Sequence, residues 1–100
     1  MTEPEVLFEA RTPLGFLVRV SRARWELPAM AGRESSVKTT LENPDEVRQS
    51  RIDPEVLLFY KAEAARRWVC AVTKQANADA FLVTAYPADA IKEGVRIWPK

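Results

Sequence analysis

The sequence contains no histidine among its 100 residues, so it lacks the side chain that most often transfers protons near neutral pH. Its one cysteine, Cys70, cannot form an internal disulfide, which is typical of a protein from a reducing cytoplasm. One cysteine and scattered carboxylates also make a poor ligand set for zinc or another transition metal. We therefore expect neither imidazole catalysis nor a bound metal or other cofactor.

The chain also lacks an excess of charge and a long hydrophobic run. Its net charge is +1, so no global field attracts nucleic acid or an acidic membrane, and any basic surface must be local. The longest apolar run is far too short to cross a bilayer, and the first ten residues contain no basic region of the kind that begins a secretory signal. These features predict a cytoplasmic protein without membrane association.

The length and the apolar content together predict one small domain. Nearly half of the residues are hydrophobic, which is enough for one modest core in a chain of this length. Residues 1–12 are polar and acidic and contain Pro4, so we expect a loose lead-in there. The single domain is then expected over residues 13–100.

The pattern of apolar and turn-forming residues predicts an α+β fold. β-Branched and aromatic residues indicate a first strand at 16–20 and a closing edge strand at 95–98, and four consecutive strands are expected at 45–52, 56–61, 67–74 and 80–86. Short helices are expected at 22–27 after Ser21 and at 33–42 before Asn43-Pro44, and a helical turn is expected at 87–92. Strands joined by short connections form antiparallel meanders. We therefore predict short N-terminal helices packed on a four- to five-stranded antiparallel sheet.

Strand alternation selects the candidate functional residues. In the segment 80–86, alternation directs Phe81, Val83 and Ala85 toward the core, and it directs Leu82, Thr84 and Tyr86 to the opposite face. The hypothetical catalytic site combines cations and hydroxyls from several strands, namely Arg48, Ser50, Tyr60, Lys74, Thr84 and Tyr86. Such groups bind a phosphate and stabilise the charge that develops during phosphoryl transfer. Without histidine, the general base must be a carboxylate, a tyrosine or a lysine with a lowered pKa.

Each candidate also has a structural alternative. Arg48 is suited to a surface ion pair with Glu46, and Lys74 at a strand end keeps the edge soluble. The serine and threonine are common strand residues, and the two tyrosines are suited to covering the edge of the core. Cys70 lies in an apolar strand and fits an inert core thiol. The sequence therefore also allows a domain with no active site.

Several motifs resemble a family of small bacterial proteins that is common in cyanobacteria. The similar segments are LENPDE at 41–46 followed by Arg48 and Ser50, LLFYK at 57–61, and FLVTAY at 81–86. The family is grouped with the phage-type barnase, EndoU, colicin E5/D and RelE-like nucleases, and the resemblance covers roughly residues 12 to 98. It implies a RelE/barnase-like α+β domain with an RNase-like, toxin-like role. Its matching positions are Arg48, Ser50, Tyr60, Thr84 and Tyr86.

The chain departs from this family at one position that matters for chemistry. In relatives, the helix after the first strand continues past the tryptophan and ends in a His-Pro pair, whereas only Glu26 and Leu27 lie between Trp25 and Pro28 here. The best acid–base candidate of the family is therefore missing.

Three interpretations follow from the resemblance and this departure. The first is a metal-independent endoribonuclease that cleaves RNA by attack of the 2′-hydroxyl. The second is a non-catalytic domain that pairs a sheet edge with a protein antitoxin or with itself. The third is a degenerate, inactive copy of the family.

Overall fold

The computed structural model describes residues 6–21, 32–91 and 93–99 of the chain. These residues form seven strands and one helix, in the order β1 (Val6–Arg11), β2 (Leu17–Ser21), α1 (Glu34–Glu42), β3 (Glu46–Gln49), β4 (Val56–Ala64), β5 (Arg67–Ala76), β6 (Asp79–Ala88) and β7 (Val95–Trp98).

All seven strands belong to one mixed sheet in the spatial order β1-β2-β6-β5-β4-β3-β7. Strands β3 to β6 form an antiparallel meander. Strand β6 lies between β5 and β2, and β2 runs parallel to it. The turns that join β4 to β5 and β5 to β6 contain Arg66 and Asn77, both with positive φ. Tight hairpin turns require this backbone conformation, which asparagine adopts more readily than most residues.

Helix α1 covers one face of the sheet. Its Val37 and Leu41 lie four residues apart and are both buried, which confirms the predicted shared apolar stripe. The helix ends at Asn43, whose backbone N–H donates to the Thr39 carbonyl at 2.7 Å, and the proline that follows excludes another helical turn. We call this side of the sheet the helix face, and its buried residues include Val18, Val47, Phe59, Ala71 and Leu82.

The opposite side of the sheet carries a second, smaller apolar cluster. Leu58, Tyr60 and Cys70 are buried there, with Trp68, Val72, Tyr86, Ala88 and Ile91 packed around them. We call this side the crossover face, because the chain must cross it between β6 and β7. The two strands are four positions apart, which is about 19 Å at the usual strand spacing. The connection between these strands is short, and its Ile91 packs on the cluster.

The predicted four- to five-stranded antiparallel sheet with short N-terminal helices is wrong. The sheet has seven strands with one parallel pair, and the described residues contain a single helix. One reason is β1, which forms within the expected lead-in because its backbone pairs with β2 and its Ala10 is buried. The helix expected at 22–27 lies outside the described residues.

The helical turn expected after residue 86 is also replaced by strand. Pro87 and Ala88 continue β6 opposite Val69 and Trp68. A proline is tolerated there because β2 pairs with β6 only at Ala80 and Phe81. On the edge of β6 that faces β2, no partner strand therefore needs a backbone N–H from residue 87. The closing edge strand expected at 95–98 is confirmed as β7.

A bulge in β6 corrects the predicted alternation. Val72 pairs with Thr84 but Thr73 pairs with Leu82, so Val83 is an extra residue without a partner in β5. One extra residue reverses the direction of the side chains that precede it. Leu82 therefore joins Ala85 on the helix face, whereas alternation assigned it to the opposite side.

Among the residues that the structure describes, no helix is both long enough and apolar enough to cross a bilayer.

Candidate functional site

Five of the six predicted site residues lie on the crossover face. Side chains that pair directly across antiparallel strands point to the same face, and the pairs Tyr60–Cys70 and Cys70–Tyr86 form one row across β4, β5 and β6. A neighbouring row runs from Arg48 through Leu58 and Val72 to Thr84. Lys74 lies two residues beyond Val72 on β5 and shares its face. Ser50 follows the end of β3.

Burial makes the two tyrosines poor bases. Tyr60 is only 2% exposed, and desolvation raises the pKa of its phenol well above the usual value. Burial raises the pKa of Tyr86 in the same way, and hydrogen bonding with the Cys70 thiol and the negative charge of Glu93 act in the same direction. Both phenols stay protonated at neutral pH. They can donate hydrogen bonds, but they do not accept a proton.

A pocket opens beside the two tyrosines, and we call it the tyrosine pocket. Its volume is about 610 Å³, and its charged lining residues are Arg33, Glu63, Arg67, Asp89 and Glu93. Arg33 forms an ion pair with Glu63. The pocket therefore presents two guanidinium groups, three carboxylates and two phenols, with the β6–β7 connection forming part of its wall.

Arg48 is engaged by its neighbours. Its Nε donates to Glu46 Oε2 at 2.5 Å, and its Nη1 donates to the Gly94 carbonyl at 3.2 Å. The ion pair is the structural alternative that the sequence allowed for this residue. The Gly94 bond ties β3 to the chain just before β7, so a phosphate would have to compete with both partners for Arg48.

Lys74 and Ser50 both contact the β3–β4 loop. Lys74 Nζ donates to Asp53 Oδ2 at 3.1 Å. Ser50 Oγ accepts the backbone N–H groups of Ile52 and Asp53, which organises the turn. The backbone N–H of Glu55 lowers the pKa of Asp53, and Lys74 lowers it further. These two predicted residues are therefore brought to one loop and away from the tyrosine pocket.

All five charged residues of the tyrosine pocket were missed at the sequence level: Arg33, Glu63, Arg67, Asp89 and Glu93. Arg67 was noted only as the start of a predicted strand. Asp89 belonged to the helical turn predicted at 87–92, and Glu93 follows directly after that segment. No local pattern indicates that the connection after β6 returns across the sheet. The described residues also contain no group of three or more histidine, cysteine or acidic side chains able to hold a metal ion.

Comparison with known proteins adds no further assignment. No family model, curated protein or solved structure matches the chain. The resemblance to the nuclease group therefore stays a prediction.

The raised pKa values of Tyr60 and Tyr86 predict a loss of stability at alkaline pH. In the unfolded chain a phenol ionises near pH 10, and the folded state holds both phenol pKa values above that. The two protonated phenols therefore make their full contribution to the free energy of unfolding below about pH 10. That contribution is lost as the pH rises through the pKa values of the folded state. We expect the free energy of unfolding to fall above about pH 10, by up to about 1.4 kcal/mol per pH unit for each phenol.

Urea unfolding at a series of alkaline pH values measures this effect. Tyr60→Phe removes one ionising group, so its stability should fall less steeply with pH than that of the wild type. Equal slopes for the two proteins would contradict the burial argument.

Proposed function

We propose that this protein is an RNase-like, toxin-like protein that acts on RNA by phosphodiester cleavage in the tyrosine pocket. One observation supports this most directly. Tyr60 and Tyr86 share the pocket with Arg67 and Glu93, so cationic, proton-donating and proton-accepting groups line one cavity. The proposal also rests on the resemblance of the 41–61 and 81–86 segments to the nuclease group.

Substrate binding is assigned to the cation and the phenols. Arg67 is exposed at the start of β5 and lines the pocket, whereas Arg33 is paired with Glu63. A guanidinium binds a phosphate through two parallel hydrogen bonds. The protonated phenols of Tyr60 and Tyr86 can donate to the non-bridging oxygens, on which negative charge increases in the transition state. Because one local cation and two hydrogen-bond donors bind the phosphate, RNA binding in this pocket does not require a large positive net charge on the protein.

The general base is assigned by elimination. The two phenols stay protonated, Lys74 is paired with Asp53, and Glu63 is paired with Arg33. Asp89 and Glu93 remain, and of these two carboxylates Glu93 is the one whose charge acts on both phenols. Its carboxylate takes the proton of the 2′-hydroxyl, and O2′ attacks phosphorus. The bond from phosphorus to O5′ then breaks, and O5′ takes a proton from water.

RNA cleavage by the purified protein tests the proposal. We expect slow cleavage that continues in a metal chelator, because the described residues contain no group of three or more histidine, cysteine or acidic side chains able to hold a metal ion, and no histidine supplies a general acid. Arg67→Ala should lower cleavage and the salt sensitivity of RNA binding. Arg66→Ala is the matched control, because it removes the same charge from the adjacent turn residue outside the pocket lining.

Tyr86→Phe is the second variant, because it removes one proposed donor and keeps the ring. We expect a loss of about 10-fold to 100-fold in rate, which corresponds to one hydrogen bond to a charged group. Circular dichroism should show unchanged folding. A folded wild type that neither binds RNA at low salt nor cleaves it would refute the nuclease proposal.

The second candidate function is a non-catalytic interaction domain. Arg48 and Lys74 are both neutralised by carboxylates, which favours a structural role for these two cations. Within the described residues, β1 and β7 each pair on one side only, and an open edge can accept a strand from a partner such as a protein antitoxin. A folded but inactive wild type that binds a strand-forming peptide would support this function.

A further inference from the structure

A second cavity shares one lining residue with the tyrosine pocket. Its volume is about 390 Å³, within the usual range of ligand sites, and its lining residues are Ser50, Arg51, Ile52, Glu93 and Gly94. We call it the loop pocket, because the first three of these residues belong to the β3–β4 loop, residues 50–55. Glu93 lines both cavities. A ligand that extends from one pocket into the other therefore passes this carboxylate.

Hydrogen bonds hold the loop side of this pocket in one conformation. Ser50 Oγ accepts the backbone N–H groups of Ile52 at 3.2 Å and Asp53 at 3.3 Å. Asp53 Oδ1 accepts the Glu55 N–H at 3.0 Å, and Asp53 Oδ2 accepts a bond from Lys74. A loop that is already ordered loses little conformational entropy when a ligand binds to it. The loop pocket is therefore pre-organised.

Arg51 is the cation that the loop pocket offers to a ligand. Its side chain is exposed, and within the described part of the chain it makes no ion pair, although Glu93 lines the same cavity. Asp53 of the same loop is paired with Lys74 instead. A guanidinium without a carboxylate partner can bind a phosphate through two parallel hydrogen bonds. The O–H of Ser50 can donate a further bond, because Oγ serves only as an acceptor in the two loop bonds.

The proposed cleavage reaction directs an RNA strand toward this cation. The ribose that supplies the attacking 2′-hydroxyl lies against Glu93, and the phosphate on its 3′ side lies in the tyrosine pocket with Arg67. The same ribose carries another phosphate on its 5′ carbon. Because Glu93 borders the loop pocket as well, the strand that leaves the tyrosine pocket past Glu93 brings this 5′-phosphate to Arg51.

We propose that the loop pocket binds the phosphate on the 5′ side of the nucleotide that contacts Glu93. Arg51 and Ser50 hold the phosphate, and Ile52, which is 96% exposed, gives the ribose an apolar surface to pack on. The inference rests on the proposed function in taking an RNA strand as the ligand. It adds a substrate class, because a nucleotide with phosphates on both sides binds better than one at an unphosphorylated 5′ end.

NMR titration of the full chain with two dinucleotides tests this subsite. Both contain 2′-deoxyribose, which has no attacking hydroxyl and prevents cleavage, and only one of them carries a 5′-phosphate. We expect the wild type to bind the phosphorylated dinucleotide about 10-fold more tightly, the scale of one hydrogen-bonded contact to a charged group. Arg51→Ala should lose this preference. Equal dissociation constants for the wild type, or a preference that Arg51→Ala retains, overturns the inference.

Arg11→Ala is the matched control for this titration. Arg11 is also an exposed arginine, but it ends β1 at the opposite edge of the sheet from β3 and β7. Its variant should keep the preference for the 5′-phosphate. Both substitutions are at exposed positions, so circular dichroism should show unchanged folding.

Cleavage of the corresponding ribose dinucleotides separates this inference from the proposed function. If the wild type cleaves them but binds the two deoxyribose forms equally, the nuclease proposal stands and the loop-pocket inference fails. If the wild type prefers the 5′-phosphate through Arg51 but cleaves neither ribose form, the phosphate subsite stands and the nuclease proposal fails.

Discussion

Glu93→Gln is expected to lower the rate of RNA cleavage by about 10²- to 10⁴-fold, the usual contribution of a general base. The amide keeps the size of the side chain and can still donate a hydrogen bond, but it cannot take the proton of the 2′-hydroxyl. Glu93 is the pocket carboxylate whose charge acts on Tyr60, Cys70 and Tyr86 alike. Initial rates at saturating RNA measure the effect.

The other two carboxylates of the tyrosine pocket provide matched controls. Glu63→Gln and Asp89→Asn remove a negative charge from the same cavity, but Glu93 is the carboxylate of this cavity whose charge acts on the phenols. We expect their rates to stay within about 10-fold of the wild type, the scale of an exposed electrostatic contact. If the wild type cleaves RNA and Glu93→Gln cleaves it equally fast, the base assignment is wrong and the nuclease proposal stands.

Gly94→Ala is expected to lower the free energy of unfolding by about 2–5 kcal/mol, from a combination of backbone strain and steric overlap. Gly94 has φ +79, and a Cβ built on it would meet the backbone carbonyl of Gln49. That carbonyl belongs to β3, which pairs with β7, so it cannot move without disturbing the sheet edge. Urea unfolding measures the loss.

Two further glycines separate the strain from the overlap. Gly15 and Gly32 also have positive φ, but a Cβ at either position would meet no atom within 4 Å. Their alanine variants should lose only the cost of the left-handed conformation, about 1–2 kcal/mol. If Gly94→Ala costs no more than the two controls, the close packing against Gln49 contributes nothing to stability.

Much of the sheet could be predicted because its strands are encoded locally. The runs of apolar and β-branched residues in β4, β5 and β6 and the turns between them depend on residues close in sequence. The helix at 34–42 was predictable for the same reason, from the spacing of Val37 and Leu41 and from the stop at Pro44. Thr84 and Tyr86 were assigned to one side of the sheet by alternation within the segment 80–86.

The candidate site was less predictable than the strands. Alternation failed at Leu82 because a bulge adds one residue to β6, and no residue type marks a bulge reliably. Arg48 and Lys74 were grouped with the tyrosines as phosphate ligands, whereas their side chains bond to Glu46 and Asp53. Such pairing depends on which carboxylates the folded backbone brings within reach.

The amino-acid sequence by itself determined the absence of imidazole chemistry, the single thiol, the near-neutral charge and the local course of most strands. Only the tertiary structure decided that β1 joins the sheet, that β2 runs parallel to β6, and that the chain crosses three strands to place Glu93 beside two tyrosines. These features depend on contacts between segments distant in sequence. Local propensity and periodicity carry little information about such contacts, because the free energy that selects them comes from burial and pairing in the complete fold.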